Sequence, residues 1–587
     1  MRHEWPAAAV AAADAAALAL ARGDGKPVLP RKAASLIVLR DAPGGPEVLL
    51  LRRAEKPGDQ NSGACVFPGG LLDAADAGHH ELCQGLDDVA ASQRLGLAEQ
   101  GLGYWIAAVR ECFEEAGLLF ASHVSGPAAG QQIQLDARNA DDIVAMRRAL
   151  HANQLGMKEV CAQLQVKLDA GALAYYSHWM TPAGMPKVFD TRFFVTLAPI
   201  EQTARHDGAE TVELLWLTPA QALDKARGLK LMNVTSHTLK HLASFSTAQA
   251  AIDAARAQSR VLLIRPRLGR GPKGRTPVMP GEWSYAEIGR LDPQGLATTS
   301  TELTPGVGVW LSPRVLRVTA DNGSMMTGPG TNAYFIGAPG SDSWALLDPG
   351  PDDAAHVQAL LAAAPGKITR ILATHTHKDH SPAVAAIKAA LMAAGGAPSF
   401  GRVAAYPEWQ DATFIPDHVL GDGDVLQLGE GVTLHAVHTP GHASNHLCYW
   451  LEEEKLLFTG DHLMQGSTVV INPPDGDMAV YLASLRKLFD LELEWLAPGH
   501  GFLIDEPHEV VKKTIAHRLA REAKVLAAVV SHGPADDATL VATVYADTPS
   551  KLHAMALRSL RAHLHKLQAD GCVSCDVQGQ WRVGATA

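Results

Sequence analysis

Thr374-His375-Thr376-His377-Lys378-Asp379-His380 crowds imidazole and carboxylate groups onto a single turn of chain. Ahead of it, Ile368, Ile371 and Leu372 read as the end of a buried strand. Behind it, Ser381-Pro382 followed by Ala383, Val384, Ile387 and Leu391 reads as the start of a helix with one apolar face. Ligand-type side chains converging at a strand-to-helix loop suit a divalent metal. One such run does not complete a site, because zinc takes about four ligands and a pair of ions needs a shared one. The chain supplies more downstream. His438-Thr439-Pro440-Gly441-His442 follows an apolar strand at 432–437, Phe458-Thr459-Gly460-Asp461 closes a second, and Leu496-Ala497-Pro498-Gly499-His500-Gly501 closes a third. Each candidate ligand leaves a strand beside Gly or Pro, where the backbone can turn close to an ion.

In order and chemistry these segments resemble the metallo-β-lactamase superfamily, whose pattern is HxHxDH, a His in a PGH turn, a lone Asp and a last His. The resemblance implies an αββα sandwich with a binuclear site at its edge. Carried onto this chain, His375, His377 and His442 would hold one metal, Asp379, His380 and His500 the second, and Asp461 would bridge them, with Asp379 the candidate catalytic carboxylate. Two zinc ions suit this imidazole-rich set, with iron or manganese as alternatives, and the implied chemistry is hydrolysis. Asp461 stands where the true β-lactamases of the superfamily carry Cys, whereas its esterase, thioesterase and nuclease branches carry Asp, so antibiotic hydrolysis is not expected. Asn332, in the turn Gly330-Thr331-Asn332 that faces the metals in relatives, is read either as binding substrate or as stabilising its turn. Asn445 and His446 are expected to shape their loop, and His435 and His438 are given no role.

A second catalytic pattern lies far upstream in Arg110-Glu111-Cys112-Phe113-Glu114-Glu115-Ala116-Gly117-Leu118. On a helix, Glu111, Glu114 and Glu115 stand at i, i+3 and i+4, so their carboxylates share a face and can hold hard cations such as Mg²⁺ or Mn²⁺ through oxygen. The run is similar to the latter half of the Nudix box, REUxEExGU with U apolar. That resemblance implies an α/β/α sandwich, metal binding by Glu111, Glu114 and Glu115, catalysis by Glu114 and Glu115, and an Arg110 that orients a glutamate. The box normally opens on a glycine fourteen positions before its arginine. Here the opener, Phe67-Pro68-Gly69-Gly70, lies much further away, and Leu102 occupies the register of the box's midway glutamate. Split boxes occur in a Nudix branch that includes coenzyme A diphosphatases. The chain resembles that branch again at Val48-Leu49-Leu50-Leu51-Arg52-Arg53, at Trp179-Met180-Thr181-Pro182 and at Phe189-Asp190-Thr191-Arg192-Phe193-Phe194.

A length of 587 residues exceeds one ordinary core and predicts about three or four domains. Hydrophobic content of 47% is that of a globular protein, and a net charge of −11 supplies no general attraction to nucleic acid. The organisation expected is an N-terminal extension at 1–30, with a helical reading of 7–21; a Nudix-like domain at 31–258, closed by a helix over 236–257; a linker at 259–306; a metallo-β-lactamase-like domain at 307–508; and a winged-helix-like domain at 509–587. The linker is read from Arg265-Pro266-Arg267-Leu268-Gly269-Arg270-Gly271-Pro272-Lys273-Gly274-Arg275, which mixes chain breakers with basic charge. Three helical periodicities followed by the alternating Val573, Cys575 and Val577 and the return strand at Trp581 and Val583 predict the winged unit. Arg558, Arg561, His563, His565 and Lys566 give its third helix a cationic side, which leaves both a packing or dimerisation lid and a nucleic-acid reader open.

A lactamase-like core followed by a winged helix resembles the branch named for beta-lactamase-like protein two, which includes a single-strand-specific endoribonuclease. Three functions follow. One is a two-site hydrolase of coenzyme A derivatives, cutting a diphosphate in the Nudix half and a thioester or ester in the other. A second is RNA cleavage. A third is a scaffold whose Nudix half only binds a nucleotide and regulates its neighbour. The first is preferred, because a thiolate leaves without a strong general acid. The expected partners are a small-molecule thioester or a nucleoside diphosphate, with RNA as the alternative and a homodimer left open. Seven cysteines argue for a reducing compartment, and no stretch reaches the ~18 apolar residues of a membrane span, so the cytoplasm is expected.

Overall fold

The computed structural model describes residues 29–56, 62–135, 140–407 and 410–584. The helical reading of 7–21 lies outside the described residues. The chain forms two compact units, one built mainly on residues before 269 and one mainly on those from 269 onward.

The first unit is organised by an eight-stranded mixed sheet. Strand β1 (Arg31–Ala42) pairs antiparallel with β2 (Gly45–Arg53), which in turn carries the short β3 (Cys65–Val66). β4 (Gly69–Leu71) folds back onto β1. Helix α1 (Leu102–Ala116) then covers one face, and β5 (Ala174–Met180), β6 (Phe189–Leu197), β7 (Thr211–Leu217) and β8 (Leu263–Ile264) complete the sheet in the order β8-β5-β6-β1-β2-β3, with β4 on β1 and β7 on β2. The alternation of strand side chains decides which residues meet which helix. Ala34, Leu36, Val38, Leu49 and Leu51 face Trp105, Ala108 and Cys112 of α1. Ile37, Leu39, Val48 and Leu50 face the opposite way, onto Leu239, Leu242, Ala251 and Ile252. This is the α/β/α sandwich expected. The tail predicted as one helix over 236–257 is two, Asn233–Leu242 and Ala248–Arg256, because the Thr247 side chain caps a new start by accepting from the Ala250 amide at 3.1 Å.

The second unit begins with α2 (Tyr285–Leu291), followed by two stacked sheets. Seven strands form the first: β9 (Gly308–Ser312), β10 (Val315–Thr319), β11 (Asn332–Gly337), β12 (Ser343–Leu347), β13 (Lys367–Leu372), β14 (Ser399–Gly401) and β15 (His418–Val419), parallel from β12 onward. Six form the second: β16 (Val425–Gln427), β17 (Thr433–His438), β18 (Leu447–Leu451), β19 (Leu456–Gly460), β20 (Trp495–Pro498) and β21 (Ile504–Asp505). Tyr334, Ile336 and Leu347 of one sheet interlock with Leu434, Tyr449 and Phe458 of the other. The outer face of the first sheet buries Val357 and Leu360 of α3 (Ala354–Ala363) and Val384 and Ile387 of α4 (Ala383–Leu391). That of the second buries Tyr481, Leu482 and Leu485 of α5 (Met478–Lys487) and Val511 of α6 (Pro507–His532). The αββα layering is complete. Helices α6, α7 (Asp537–Val544) and α8 (His553–Ala569) and the hairpin of β22 (Val573–Cys575) and β23 (Trp581–Val583) enclose a small core of Val525, Leu540, Leu560, Leu564 and Trp581, which is the winged-helix arrangement. Among the described residues no helix is long and apolar enough to cross a membrane, and the cysteines are free.

The segment 259–306 is more than a linker. It carries a hairpin, Arg267–Gly271 with Gly274–Val278, and the helix α2, whose Glu287 is buried against Arg317. The two side chains meet in a bidentate pair at 2.6 and 2.9 Å, and Glu287 also accepts from the Leu503 amide at 2.9 Å. Chain breakers and basic charge in the hairpin hid this anchor from sequence reading, since its partners lie far along the chain. Glu287→Ala leaves a buried guanidinium uncompensated, and the second unit is expected to lose about 3–5 kcal/mol. Urea unfolding of the full chain followed through that unit measures it, and a loss below about 1 kcal/mol would return α2 to the status of an exposed surface element.

Candidate metal centre

Parallel strand pairs aim the ligand loops at one place. β12 and β13 lie side by side in the first sheet, so Asp348 and the loop 374–380 leave the same edge. β19 and β20 do the same in the second sheet and deliver Asp461 and His500, joined by a Gly499 amide that donates to the Gly460 carbonyl at 2.9 Å. A side chain at Gly499 would stand 2.8 Å from the His380 ring and 2.9 Å from Asp461 Oδ1, which explains a glycine there. His442 enters from the turn after β17.

Two ligand-type groups result, His375 with His377 and His442, and Asp379 with His380, Asp461 and His500, each with its donor atoms within 4.8 Å of one another. His375 Nε2 and His442 Nε2 each lie 3.0 Å from His377 Nδ1. Hydrogen bonds on the far sides fix the rings: His375 Nδ1 lies 3.0 Å from Thr374 Oγ1, His380 Nδ1 3.0 Å from Asp348 Oδ2, His442 Nδ1 2.7 Å from the Val470 carbonyl and His500 Nδ1 3.2 Å from the Gly330 carbonyl. With the outer nitrogens donating, the inner ones face inward and offer a lone pair once the ring is neutral. His380 Nε2, His500 Nε2 and Asp461 Oδ1 are buried and make no hydrogen bond among the described residues, although they lie 3.2 and 3.5 Å apart across the two ion-pair contacts. Asp461 faces both groups, Oδ2 being 3.6 Å from His442 Nε2 and Oδ1 3.2 Å from His500 Nε2. Buried, unpartnered lone pairs of nitrogen and oxygen fit divalent cations.

Electrostatics divides the groups. Burial pushes His375 well below its ordinary range and His377 down to about 3, with the neighbouring imidazoles adding to the effect. Burial acts the same way on His500, but Asp461 and Asp379 override it and hold the ring up at about 9. His380 is likewise raised by the surrounding carboxylates. Burial works against ionising Asp461, yet His500 and His380 keep it well below the usual carboxylate range. Asp379 keeps the most exposed side chain of its group, at 28%.

Of the two roles open to Asn332, its contacts are those of the turn-stabilising one. It is fully buried; its amide donates to the Pro498 and Gly501 carbonyls at 3.0 and 2.8 Å and its oxygen accepts from Thr319 Oγ1 at 2.8 Å, which clamps the loop carrying His500. Asn445 spans from its turn to Thr376 Oγ1 at 2.7 Å. Asp348 was not singled out by sequence reading. Its carboxylate takes the Thr374 amide and hydroxyl, both at 2.7 Å, as well as His380, so it sets the whole histidine loop. The signal was an acidic residue at a strand exit before Pro349-Gly350. The winged unit reaches the centre through α6, where the buried Arg518 donates to the Val469 carbonyl, next to the carbonyl that orients His442.

In the first unit, α1 ends where Gly117 adopts a left-handed φ of 71°. Its carboxylates do not form one cluster. Arg110 Nη1 gathers Glu111 and Glu114 at 2.9 and 3.0 Å, while Glu115 accepts from the Gly69 amide at 2.9 Å. The missing midway glutamate is replaced by Asp76, which forms a bidentate pair with Arg110 at 3.1 and 2.9 Å. Counting forward from Gly70 rather than back from Arg110 finds Asp76 in the box's own register, so the insertion falls after it. A side chain at Gly70 would collide with the Glu111 carboxylate. Burial raises Glu111 to about 7 despite Arg110 beside it, and raises Glu114 and Glu115 as well.

The cationic side of α8 is largely neutralised. Arg561 pairs with Asp537 at 2.7 Å, Lys566 with Glu522 and Asp570 at 2.8 and 2.7 Å, and His563 is buried 3.4 Å from Glu522.

Family comparisons agree with this geometry. Residues 326–500 match the metallo-beta-lactamase superfamily, 98–232 the NUDT19 Nudix domain and 538–581 the beta-lactamase associated winged helix domain. The Caenorhabditis elegans beta-lactamase-like protein 2 homolog is 32% identical over 267 residues, which cover 45% of this chain and 87% of that protein. The chain belongs to the metallo-beta-lactamase superfamily. Within that superfamily it is also similar to the beta-lactamase-like protein 2 homolog of Drosophila melanogaster, at 33% identity over 44% of this chain and 90% of the relative. The atrochrysone carboxyl ACP thioesterase of Aspergillus fumigatus is 32% identical over 41% of this chain and 76% of its own length. A metallo-beta-lactamase-fold hydrolase is thus joined to a Nudix domain in one chain.

Two outcomes are expected of these sites. Asp348→Asn keeps the shape but withdraws the charge behind His380, and should weaken divalent-cation retention about 10–100-fold in competition with a chromophoric chelator; retention equal to wild type would remove Asp348 from the centre. Glu111, with its acid form favoured up to about pH 7, is neutral below that pH and anionic above it. Mg²⁺ affinity of the first unit should therefore rise as pH is raised through 7, measured by calorimetric titration at pH 6 and pH 8, and a Glu111→Gln variant should show a flatter dependence.

Proposed function

We propose that the second unit is a binuclear metal-dependent hydrolase of carboxylic thioesters, and that the Nudix unit is a Mg²⁺-dependent diphosphatase, the two together suited to coenzyme A derivatives. The observation that carries the first part is Asp461, whose two oxygens face different ligand groups. His375, His377 and His442 would hold one cation, Asp379, His380 and His500 the other, and Asp461 would join them. When bound, such cations supply Lewis acidity and a water ionised near neutral pH. The chain's own residues do the rest. Asp348, Thr374 and the Val470 and Gly330 carbonyls keep the imidazole protons of His375, His380, His442 and His500 on their outer nitrogens. Asp379, partly open to solvent, can take a proton from the attacking water at its carboxylate. Water adds to the thioester carbonyl carbon, the C–S bond breaks, and the thiolate leaves without needing a strong acid beside it.

Two observations support a thioester over RNA. A relative that matches most of its length is named a thioesterase, and two of the cations of α8, Arg561 and Lys566, are spent on carboxylates of the same unit, whereas a strand of RNA needs free cationic and aromatic contacts. For the Nudix unit we propose Glu111, Glu114 and Glu115 as cation ligands, with Arg110 and Asp76 positioning them. We also propose folding limits of 31–258 extended to 268 so as to keep β8, 307–508 and 509–587, with 282–292 added to the second unit.

Asp461→Ala should lower thioester hydrolysis by roughly a thousandfold, equivalent to about 4 kcal/mol, with the thermal unfolding profile retained. Wild type and Arg558→Glu/Arg561→Glu, assayed on acyl thioesters and on labelled single-stranded RNA, should differ little on thioesters. RNA cleavage that the double change abolishes, with no thioesterase activity in wild type, would overturn the assignment.

A further inference from the structure

Trp283 sits just ahead of α2, in a segment outside the residues matched to the superfamily. Its indole lies against Gly466 in the loop that follows Asp461: a side chain at Gly466 would come within 2.8–3.0 Å of the ring. On another side, a side chain at Gly328 would stand 3.8 Å from the same ring. The backbone is tied as firmly. Gln465 Nε2 donates to the Trp283 carbonyl at 2.7 Å, and Gln465 Oε1 accepts from the Phe502 amide, two residues past His500, at 3.0 Å. Gly330, at the far end of the loop that holds Gly328, gives its carbonyl to His500 Nδ1. The indole therefore lies between the two loops that flank the candidate metal centre.

Packing does not use up the ring. Trp283 remains 46% exposed, and the tight turn at 324–328, closed by the Ser324 amide on the Gly328 carbonyl at 3.0 Å, presents Met325 and Met326 at 71% and 45% exposure. Exposing a large aromatic and two thioethers together at the rim of a site sacrifices hydrophobic free energy unless something covers them. These side chains offer no charge to a phosphate. They offer a rigid aromatic face and two adaptable apolar arms, suited to hydrocarbon or aromatic surface.

We propose that Trp283, with Met325 and Met326, forms the subsite for the apolar acyl portion of the thioester, so that bulky or aromatic acyl groups are preferred over acetyl. The inference rests on the thioesterase reading above. It assigns to a segment read from sequence as a linker the wall that selects substrate, and the buried Glu287–Arg317 pair a few residues on is what holds that wall rigid.

The test uses the full chain and thioesters of N-acetylcysteamine, which lack a diphosphate and so are blind to the Nudix unit. In wild type the kcat/KM for the benzoyl thioester should exceed that for the acetyl thioester. Trp283→Ala should lower this benzoyl-to-acetyl ratio about tenfold, chiefly through KM, and Trp283→Phe should restore most of it. Binding of the unreactive S-benzyl thioether of N-acetylcysteamine, followed by calorimetry, should weaken by the same factor in Trp283→Ala. If wild type hydrolyses thioesters but the ratio is the same in all three proteins, the subsite is wrong and the thioesterase reading stands. If wild type cleaves neither thioester while the thioether still binds in a Trp283-dependent way, the subsite stands and the reaction is wrong. Should Trp283→Ala fail to fold, an unchanged ratio in a Met325→Ser/Met326→Ser variant would overturn the subsite.

Discussion

Every imidazole at the candidate metal centre with a fixed outer nitrogen points its inner lone pair at the same small volume, and that arrangement depends on what lies behind the rings. Asp348 is the central brace. It holds the Thr374 backbone and hydroxyl and His380 at once, from the end of a strand paired in parallel with the one that launches the histidine loop. Parallel pairing matters because it brings the ends of neighbouring strands to one edge, so residues far apart in the chain can be presented together. The same device in the other sheet delivers Asp461 and His500. Slipping either pair by one residue would turn the loop-proximal side chains to the opposite face and scatter the group.

Around that brace, the extra segments tie the site down from outside. Asn332 clamps the loop of His500, α6 of the winged unit fastens the loop that orients His442, and α2 fixes itself through Glu287 and Arg317 while placing Trp283 at the rim. The winged unit thus packs on the hydrolase through its first helix, and Arg561 and Lys566 of its third helix are paired with carboxylates of the same unit.

The Nudix unit illustrates a different kind of support. Three charged groups of its helix meet a fourth from outside it, with Arg110 paired to Asp76 on one side and to Glu111 and Glu114 on the other. Burial raises the glutamates and makes the guanidinium necessary. Glu115 escapes that network through a backbone amide at Gly69, which is possible only because the glycine turn of the split box folds back onto the helix. The long insertion between Asp76 and α1 changes the spacing without changing the contact.

Local pattern in the sequence was enough for the amphipathic elements, because those follow from side-chain type and from periods of two and of 3.6 residues, whereas both sandwich classes and the candidate ligand set came from the resemblance of the motifs to known families. The motifs from His375 to His500 do come together in the structure, and Glu111, Glu114 and Glu115 do stand on one helix. Tertiary structure decided what each side chain spends its hydrogen bonds on. It gave Asn332 the contacts of a clamp, put Asp76 in the place vacated at Leu102, paired off Arg561 and Lys566, and converted a basic, Pro- and Gly-bearing stretch into the approach to an anchored helix. Each of those outcomes rests on a partner tens to hundreds of residues away. The energy of a buried polar group is set by the partner it finds, and no local run of residues contains that partner.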